Sequence, residues 1–139
     1  MTLLYLSTDR IDILLATHEL TSYITKPNEF SWKKLIRVGR YLVSHRRSGT
    51  RMKLDSNSRE GVINLRCVSD SDWASDKTTR RSRACALFYA DGCLLAGLVR
   101  YQSFIALSSG EAEFGAQHTA NLEGLGYKYL FEFMGFRVK

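Results

Sequence analysis

Proline is almost missing from this 139-residue sequence, with Pro27 the only copy, which excludes collagen-like, proline-rich and linker-dominated architectures. Cysteine is scarce too. Cys67, Cys85 and Cys93 are odd in number, with no C-x-x-C pair and no His-x-x-x-His companion, so neither a disulfide framework nor a zinc site follows, and buried reduced thiols are expected. The three histidines, His18, His45 and His118, form no recognisable pair. Long apolar runs are absent as well. The opening Met1 to Leu6 is too short to span a bilayer, lacks a basic flank and runs at once into Asp9, Arg10 and Asp12. No membrane association is expected, and a cytoplasmic or nuclear setting is. There is no internal repeat and no low-complexity segment.

What is present fits one soluble globular domain, or one domain with an appendage: 45% of residues are hydrophobic and 24% charged. The formal charge of +6 and a pI near 9.4 favour a polyanionic partner. That surplus is uneven. Residues 1 to 60 carry 11 Lys and Arg against 6 Asp and Glu, whereas residues 61 to 139 carry 9 against 8.

Along the chain, Ser7, Thr8 and Asp9 offer N-caps before an amphipathic stretch through Ile11, Leu14, Leu15, His18, Leu20, Tyr23 and Ile24, which Pro27 ends. Asn28 can cap a second helix, in which Trp32, Leu35, Ile36, Gly39, Leu42 and Val43 form the expected buried stripe. After the break at His45 to Gly49, Met52 and Leu54 suggest a short strand, and the polar stretch Asp55 to Gly61 marks a boundary. The expected division is 1–55 and 56–139. Ile63, Leu65 and Cys67 then alternate with polar or exposed positions in a strand that runs into the acidic cluster Asp70 to Asp76. Ala84 to Ala90 and Leu94 to Arg100 read as strands joined by the turn Asp91-Gly92, with Phe104 to Leu107 continuing or adding a strand. Ser108-Ser109-Gly110-Glu111 fits a capping box at the start of a helix reaching about Met134, lined first by Ala112, Gly115, Ala116 and Ala120 and later by Tyr127, Leu130, Phe131 and Met134.

The acidic residues fall into two separated groups, Asp70 with Asp72 at the end of a strand and Glu111 with Glu113 in the first turn of the long helix. Residues two apart on a helix point about 200° away from each other, so Glu111 and Glu113 cannot serve one site together. The run Val68-Ser69-Asp70-Ser71-Asp72-Trp73-Ala74-Ser75-Asp76, continued by Arg80-Arg81-Ser82, is similar to the acidic tryptophan motif that opens the ribonuclease H domain of copia-type retrotransposons. Gln102 to Phe114, with its Leu107-Ser108-Ser109-Gly110-Glu111-Ala112-Glu113 core, resembles that family's second motif. Upstream, Leu4-Tyr5-Leu6, Arg10-Ile11-Asp12-Ile13, Lys26-Pro27-Asn28 and Trp32 to Leu42 resemble the segment joining polymerase to nuclease.

The resemblance implies a fragment of a retrotransposon Pol polyprotein, with reverse transcriptase connection helices in 1–55 and part of a ribonuclease H-like domain in 56–139. It implies an α+β fold: two N-terminal helices, then a three-stranded antiparallel sheet and one long helix. The family's activity is Mg²⁺- or Mn²⁺-dependent cleavage of the RNA strand of an RNA–DNA hybrid, a reaction in which carboxylates from separate elements converge on two cations. Asp70 and Glu113 would be the catalytic and metal-binding carboxylates, Glu111 the capping residue, and Asp72 and Asp76 turn or supporting residues. Ribonuclease H also uses a third aspartate on a following strand and a later fourth acidic residue, and neither occurs downstream of Glu113. Departures at Arg83, Ala84, Cys85, Ala86 and Gly97 also set the hairpin apart from the family pattern. The expectation is therefore a chain that is inactive alone and binds the metal weakly. Lys33, Lys34, Arg37 and Arg40, with Arg80 and Arg81, are the candidate phosphate contacts to hybrid or duplex nucleic acid, although solvated charged surfaces account for them as well. The other expected partner is the remainder of the Pol polyprotein. Two alternatives stay open: a non-catalytic nucleic-acid-binding remnant, and a degenerate fragment of the transposon.

Overall fold

In the computed structural model, which describes residues 2–52 and 61–139, the chain divides into two units, Met1–Thr50 and Arg51–Lys139. The boundary expected after residue 55 lies outside the described residues, as does Leu54; Met52, its expected strand partner, is not in a strand. The architecture is α+β, with N-terminal helices, a three-stranded antiparallel sheet and a long C-terminal helix.

The first unit holds α1 (Thr2–Asp9), a 3-10 turn (Ile11–Ile13), α2 (Leu14–Thr21) and α3 (Glu29–Ser44). The helix expected after Asp9 is present as the 3-10 turn running into α2, which ends at Thr21, and α1 precedes it as a further helix across a break at Arg10. The cause is local. The Ser7 and Thr8 hydroxyls, expected to cap a following helix, instead donate back to the Leu4 and Tyr5 carbonyls at 2.7 Å within α1. At the break, Arg10 forms a two-pronged pair with Asp12 (2.9 and 2.7 Å) and donates to the His45 carbonyl, while the Tyr41 hydroxyl donates to Asp12 at 2.9 Å. These bonds join the interhelical turn to α3.

Asn28 caps α3 as expected, its side chain accepting from the Ser31 amide while the Ser31 hydroxyl accepts from the Asn28 amide. The buried positions of α3 are Ser31 and Val38 rather than the expected stripe: Trp32, Leu35, Ile36 and Val43 are exposed. Trp32 and Leu35 line an open groove together with Leu20, Tyr23 and Ile24.

The second unit contains β1 (Val62–Ile63), β2 (Leu65–Asp72), β3 (Arg83–Ala90), β4 (Cys93–Tyr101), α4 (Ser109–Phe133) and β5 (Arg137–Val138). β2, β3 and β4 form an antiparallel sheet in that order, and β1 pairs with β5 in parallel. The β3–β4 turn is the expected Asp91-Gly92, with both residues at positive φ (46° and 78°), as a two-residue hairpin turn requires. The Asp91 carboxylate also accepts from the amide and side chain of Asn64, tying the turn to the start of β2. Phe104 to Leu107 forms no strand. That segment instead enters α4, whose N-cap Ser108 accepts from the Glu111 amide.

α4 packs over β2 and β3 through Ala112, Gly115, Ala116 and Ala120, all buried, against Ala84, Ala86 and Phe88. Small residues let the helix axis approach the sheet closely, and Phe88 fills the space beneath Ala120 and Tyr127. All three cysteines are free; Cys93 is buried and the other two half-buried.

Phe88→Ala removes the largest fully buried side chain and is expected to cost about 3–5 kcal/mol, read from denaturant unfolding of the second unit. In the first unit, the Arg10 guanidinium, helped by the Tyr41 hydroxyl, holds the Asp12 carboxyl at about 2 against a usual 3.8. A depressed folded-state value means the stabilisation is complete above pH 4 and lost as pH falls through about 2. Acid titration of helicity should therefore show loss in that window, and Asp12→Asn should flatten it.

Candidate functional site

β2 carries Asp70 and Asp72 because its backbone stays extended to the end of the strand, where Trp73 and Ala74 turn the chain. Side chains alternate along it. Cys67 lies in the core beneath α4 and Ser71 contacts Glu113 on the same helix, so Arg66, Val68, Asp70 and Asp72 occupy the opposite face. There Asp70 stands opposite Cys85 and Asp72 opposite Arg83. Burial raises the Cys85 thiol above its ordinary pKa, and both aspartates add to that rise against the lowering effect of Arg83.

Glu113 reaches the strand from the helix side. Its Oε1 accepts from the Ser71 hydroxyl at 2.8 Å and from the Ser71 amide at 3.3 Å. That amide belongs to the peptide linking Asp70 to Ser71. The two carboxylates singled out from the sequence thus flank one peptide unit, but approach it from the two faces of the strand. Glu111 points elsewhere, its Oε2 accepting from the Leu107 amide at 2.7 Å. It caps the segment before the helix, one residue ahead of the amide that a capping box uses. Farther along α4, Glu123 lies 3.6 Å from Arg100 and Glu132 3.9 Å from Lys128, so both are occupied by cations. Among the described residues no group of three or more His, Cys, Asp or Glu side chains is gathered to hold a metal ion.

Several other residues support the site, Trp73 and Asp76 already marked by the sequence motif and others given no role by it. Ser71 is one, a hydroxyl between two aspartates whose partner lies 42 positions away. Trp73 donates its indole N–H to the Ala106 carbonyl at 3.0 Å, fastening the end of β2 to the approach of α4. Gln102, buried, donates to the Ala112 carbonyl at 2.7 Å and fixes the first turn of the helix. Asp76 organises its own loop: it accepts from the Thr79 hydroxyl, which chiefly holds its pKa below the usual carboxylate range, and from the Thr78 amide.

The basic candidates are unequally available. Lys33 is paired with Glu29 at 2.7 Å in an exposed contact, and Lys34 with Glu19 in a partly buried one, with its ammonium also 4.3 Å from the Phe30 ring centre. Arg37 and Arg40 are exposed and form no ion pair among the described residues. Arg80 and Arg81 are exposed on the loop after β2, Arg80 at a positive φ of 59°.

Over 116 residues the chain is 34% identical to a protein of Plasmopara viticola named secreted RxLR effector protein 161, a match covering 84% of this chain and 78% of that protein. The chain belongs to that protein's family. Over 110 residues it is also 29% identical to a retrovirus-related Pol polyprotein from transposon RE2 of Arabidopsis thaliana, covering 79% of the chain and 7% of the polyprotein. The effector's family thus shares its sequence pattern with a short segment of a retrotransposon polyprotein, because matches of these lengths must overlap within 139 residues. No family model matches the chain, and no solved structure does. No described helix is long and apolar enough to cross a membrane.

Removing the Ser71 hydroxyl from this exposed site should cost about 1 kcal/mol or less while leaving the amide bond to Glu113 in place. Denaturant unfolding of Ser71→Ala checks it. A loss near 3 kcal/mol would mean that the hydroxyl carries more of the fold than this contact.

Proposed function

We propose that the chain derives from the polymerase-to-nuclease connection and the first half of the ribonuclease H domain of a copia-type retrotransposon Pol polyprotein. Its ancestral activity in this reading is Mg²⁺-dependent hydrolysis of the RNA strand of an RNA–DNA hybrid, with Asp70 and Glu113 as the metal-binding carboxylates. The observation that carries it is the contact of Glu113 with the peptide that follows Asp70: residues 43 positions apart are delivered to one strand end by the packing of α4. The similarity to a Pol polyprotein supports the same origin. So does the parallel pairing of β5 with β1, which returns the chain after α4 to the start of β2, the strand that carries Asp70.

Carboxylate and hydroxyl oxygens are suitable donors for Mg²⁺ in chemical type. They are short in number, and the two carboxylates occupy different faces of β2. An ion bound by this pair would keep most of its waters and supply Lewis-acid activation of one of them; the protein's part is to hold the two oxygens in place. Binding is therefore weak and cleavage by the isolated chain absent. Arg37 and Arg40 in the first unit, and Arg80 and Arg81 in the second, would contact phosphates without regard to base sequence. Lys33 and Lys34 contribute less, because each already faces a carboxylate.

Among the described residues no third carboxylate is gathered with Asp70 and Glu113, which favours the second reading, a non-catalytic nucleic-acid-binding remnant. One titration separates the two. Mn²⁺ added to the labelled chain should broaden the NMR signals of Asp70, Ser71 and Glu113 selectively, with Asp70→Asn removing the effect; uniform or no broadening overturns the metal-site reading. Binding to a labelled RNA–DNA hybrid should weaken as salt rises and weaken further in a double Arg37→Ala, Arg40→Ala variant. Salt-independent binding, or no binding, would remove the nucleic-acid surface from the reading.

A further inference from the structure

α4 buries one face on the sheet through Ala112, Gly115, Ala116 and Ala120 and turns the opposite face outward. At about 100° per residue, that outward face is made of Phe114, His118, Leu122, Leu125, Tyr129 and Phe133. All six are exposed, Phe114 to 74% and Phe133 to 90%. The solvent side of a surface helix is ordinarily charged or polar, yet this stripe contains no Asp, Glu, Lys or Arg.

Its spacing says what it fits. His118 and Leu125 are seven residues apart, as are Leu122 and Tyr129, the repeat that keeps a seam turned toward a second helix. Phe114, His118 and Leu122 form one i, i+4 row and Leu125, Tyr129 and Phe133 another, and such rows are the ridges by which helices interlock. One row is the reverse of the other. Counted from the midpoint between Glu123 and Gly124, Leu122 and Leu125 are equally distant, as are His118 and Tyr129, and Phe114 and Phe133. A stripe that reads the same in both directions fits a reversed copy of itself, which is the condition for a two-fold contact between identical surfaces. The six side chains offer on the order of 600 Å² per copy, or about 1,200 Å² for a pair, the lower bound of stable and specific interfaces.

We propose that the outward face of α4 is the contact surface for a second copy of this chain, with the two α4 helices antiparallel about a two-fold axis at the midpoint between Glu123 and Gly124. Leu122 of each copy packs on Leu125 of the other, His118 on Tyr129, and the phenylalanines close the two ends. A parallel pair would instead set Lys128 beside Lys128 and Glu132 beside Glu132 and align the helix dipoles, whereas the antiparallel pair opposes them. Within each helix Lys128 and Glu132 lie 3.9 Å apart, so the rim of the seam is already neutralised. A stripe without a lysine or arginine offers nothing to a polyanion, and a second apolar stripe is its complement. The inference uses α4 alone and holds whether or not the carboxylates serve a metal.

Sedimentation velocity of the full chain across a range of concentrations should show a monomer–dimer equilibrium. Leu122→Glu alone and Leu125→Lys alone should each raise the dissociation constant by about tenfold or more, because either sets a charge against a leucine of the other copy. An equal mixture of the two variants should associate about tenfold more tightly than either by itself, since the antiparallel register brings the introduced acid to the introduced base. A parallel pair aligns position 122 with 122 and 125 with 125, so mixing would not rescue it. Phe133→Ala repeats the test without a charge and should weaken association about fivefold. These side chains are exposed in the single chain, and an unchanged far-ultraviolet circular dichroism spectrum shows that each variant has folded. A chain that stays monomeric throughout overturns the proposal, as does a dimer indifferent to Leu122→Glu and Leu125→Lys, or one that both weaken and their mixture fails to restore.

Discussion

The close approach of α4 to the sheet is the constraint on which the second unit depends. Ala112, Gly115, Ala116 and Ala120 give the helix a face with almost no side-chain depth, and Ala84 and Ala86 do the same for β3. The distance is set most tightly at Gly115, where an added Cβ would lie 2.6 Å from the Phe104 ring and 3.0 Å from the Gln102 amide nitrogen. Gln102 in turn bonds the Ala112 carbonyl. Helix start, approach segment and sheet are therefore fixed against one another within one turn of Glu113. A larger residue on this face would lift the helix, and the first loss would be the reach of Glu113 to Ser71.

Because α4 is seated so low, its N-terminal turns are brought to the end of β2 and its C-terminal turns extend past the sheet. The consequences differ at the two ends. At the start, polar bonds close around the strand end: Glu113 to Ser71, Glu111 to Leu107, Trp73 to Ala106. Beyond Ala120 the packing thins to Phe88 with Tyr127 and then Phe131 with Phe136, and Leu125, Tyr129, Leu130 and Phe133 are exposed. The helix is anchored firmly where the carboxylates are and loosely where they are not. Trp73 belongs to that anchoring; its ring is half-exposed but its N–H is committed to the protein.

Elements with a strong local signal were legible in the sequence. Asp91-Gly92 marked the hairpin because both residues adopt positive φ there, and Asn28 marked the start of α3 because its side chain satisfies an otherwise unpaired helix amide. The small-residue run of α4 identified its packing face correctly. Failures arose where a local pattern had two solutions. Ser7 and Thr8 can cap a following helix or bond back within their own, and the demand of Arg10 for Asp12 and the His45 carbonyl, 35 residues away, sits at the break that separates the two helices. The stripe of α3 failed for a related reason: apolar spacing identifies a face, but which face is covered depends on where α2 lies. β1 and β5 are two residues each, too short to leave a periodic signal, and exist through pairing across 75 positions.

The carboxylates show the same limit at the level of chemistry. Sequence spacing separated Glu111 from Glu113 on the helix, and the two do bond to different partners, Leu107 and Ser71. It could not reveal that strand pleating sets Asp70 and Glu113 on different faces, because the direction of a strand side chain is fixed only once its register with β3 is known. It also gave no hint that a carboxylate suited to a cation would be engaged by a backbone amide at a sheet edge. That engagement follows from topology: among the described residues β2 has a paired strand on one side only, and α4 brings Glu113 to the Ser71 amide on the other. An unpaired amide and an unneutralised carboxylate satisfy each other when neither has its intended partner. The contact that best supports a shared site for Asp70 and Glu113 is thus also the one that occupies Glu113, and any ligand of that carboxylate has to compete with the edge of the sheet.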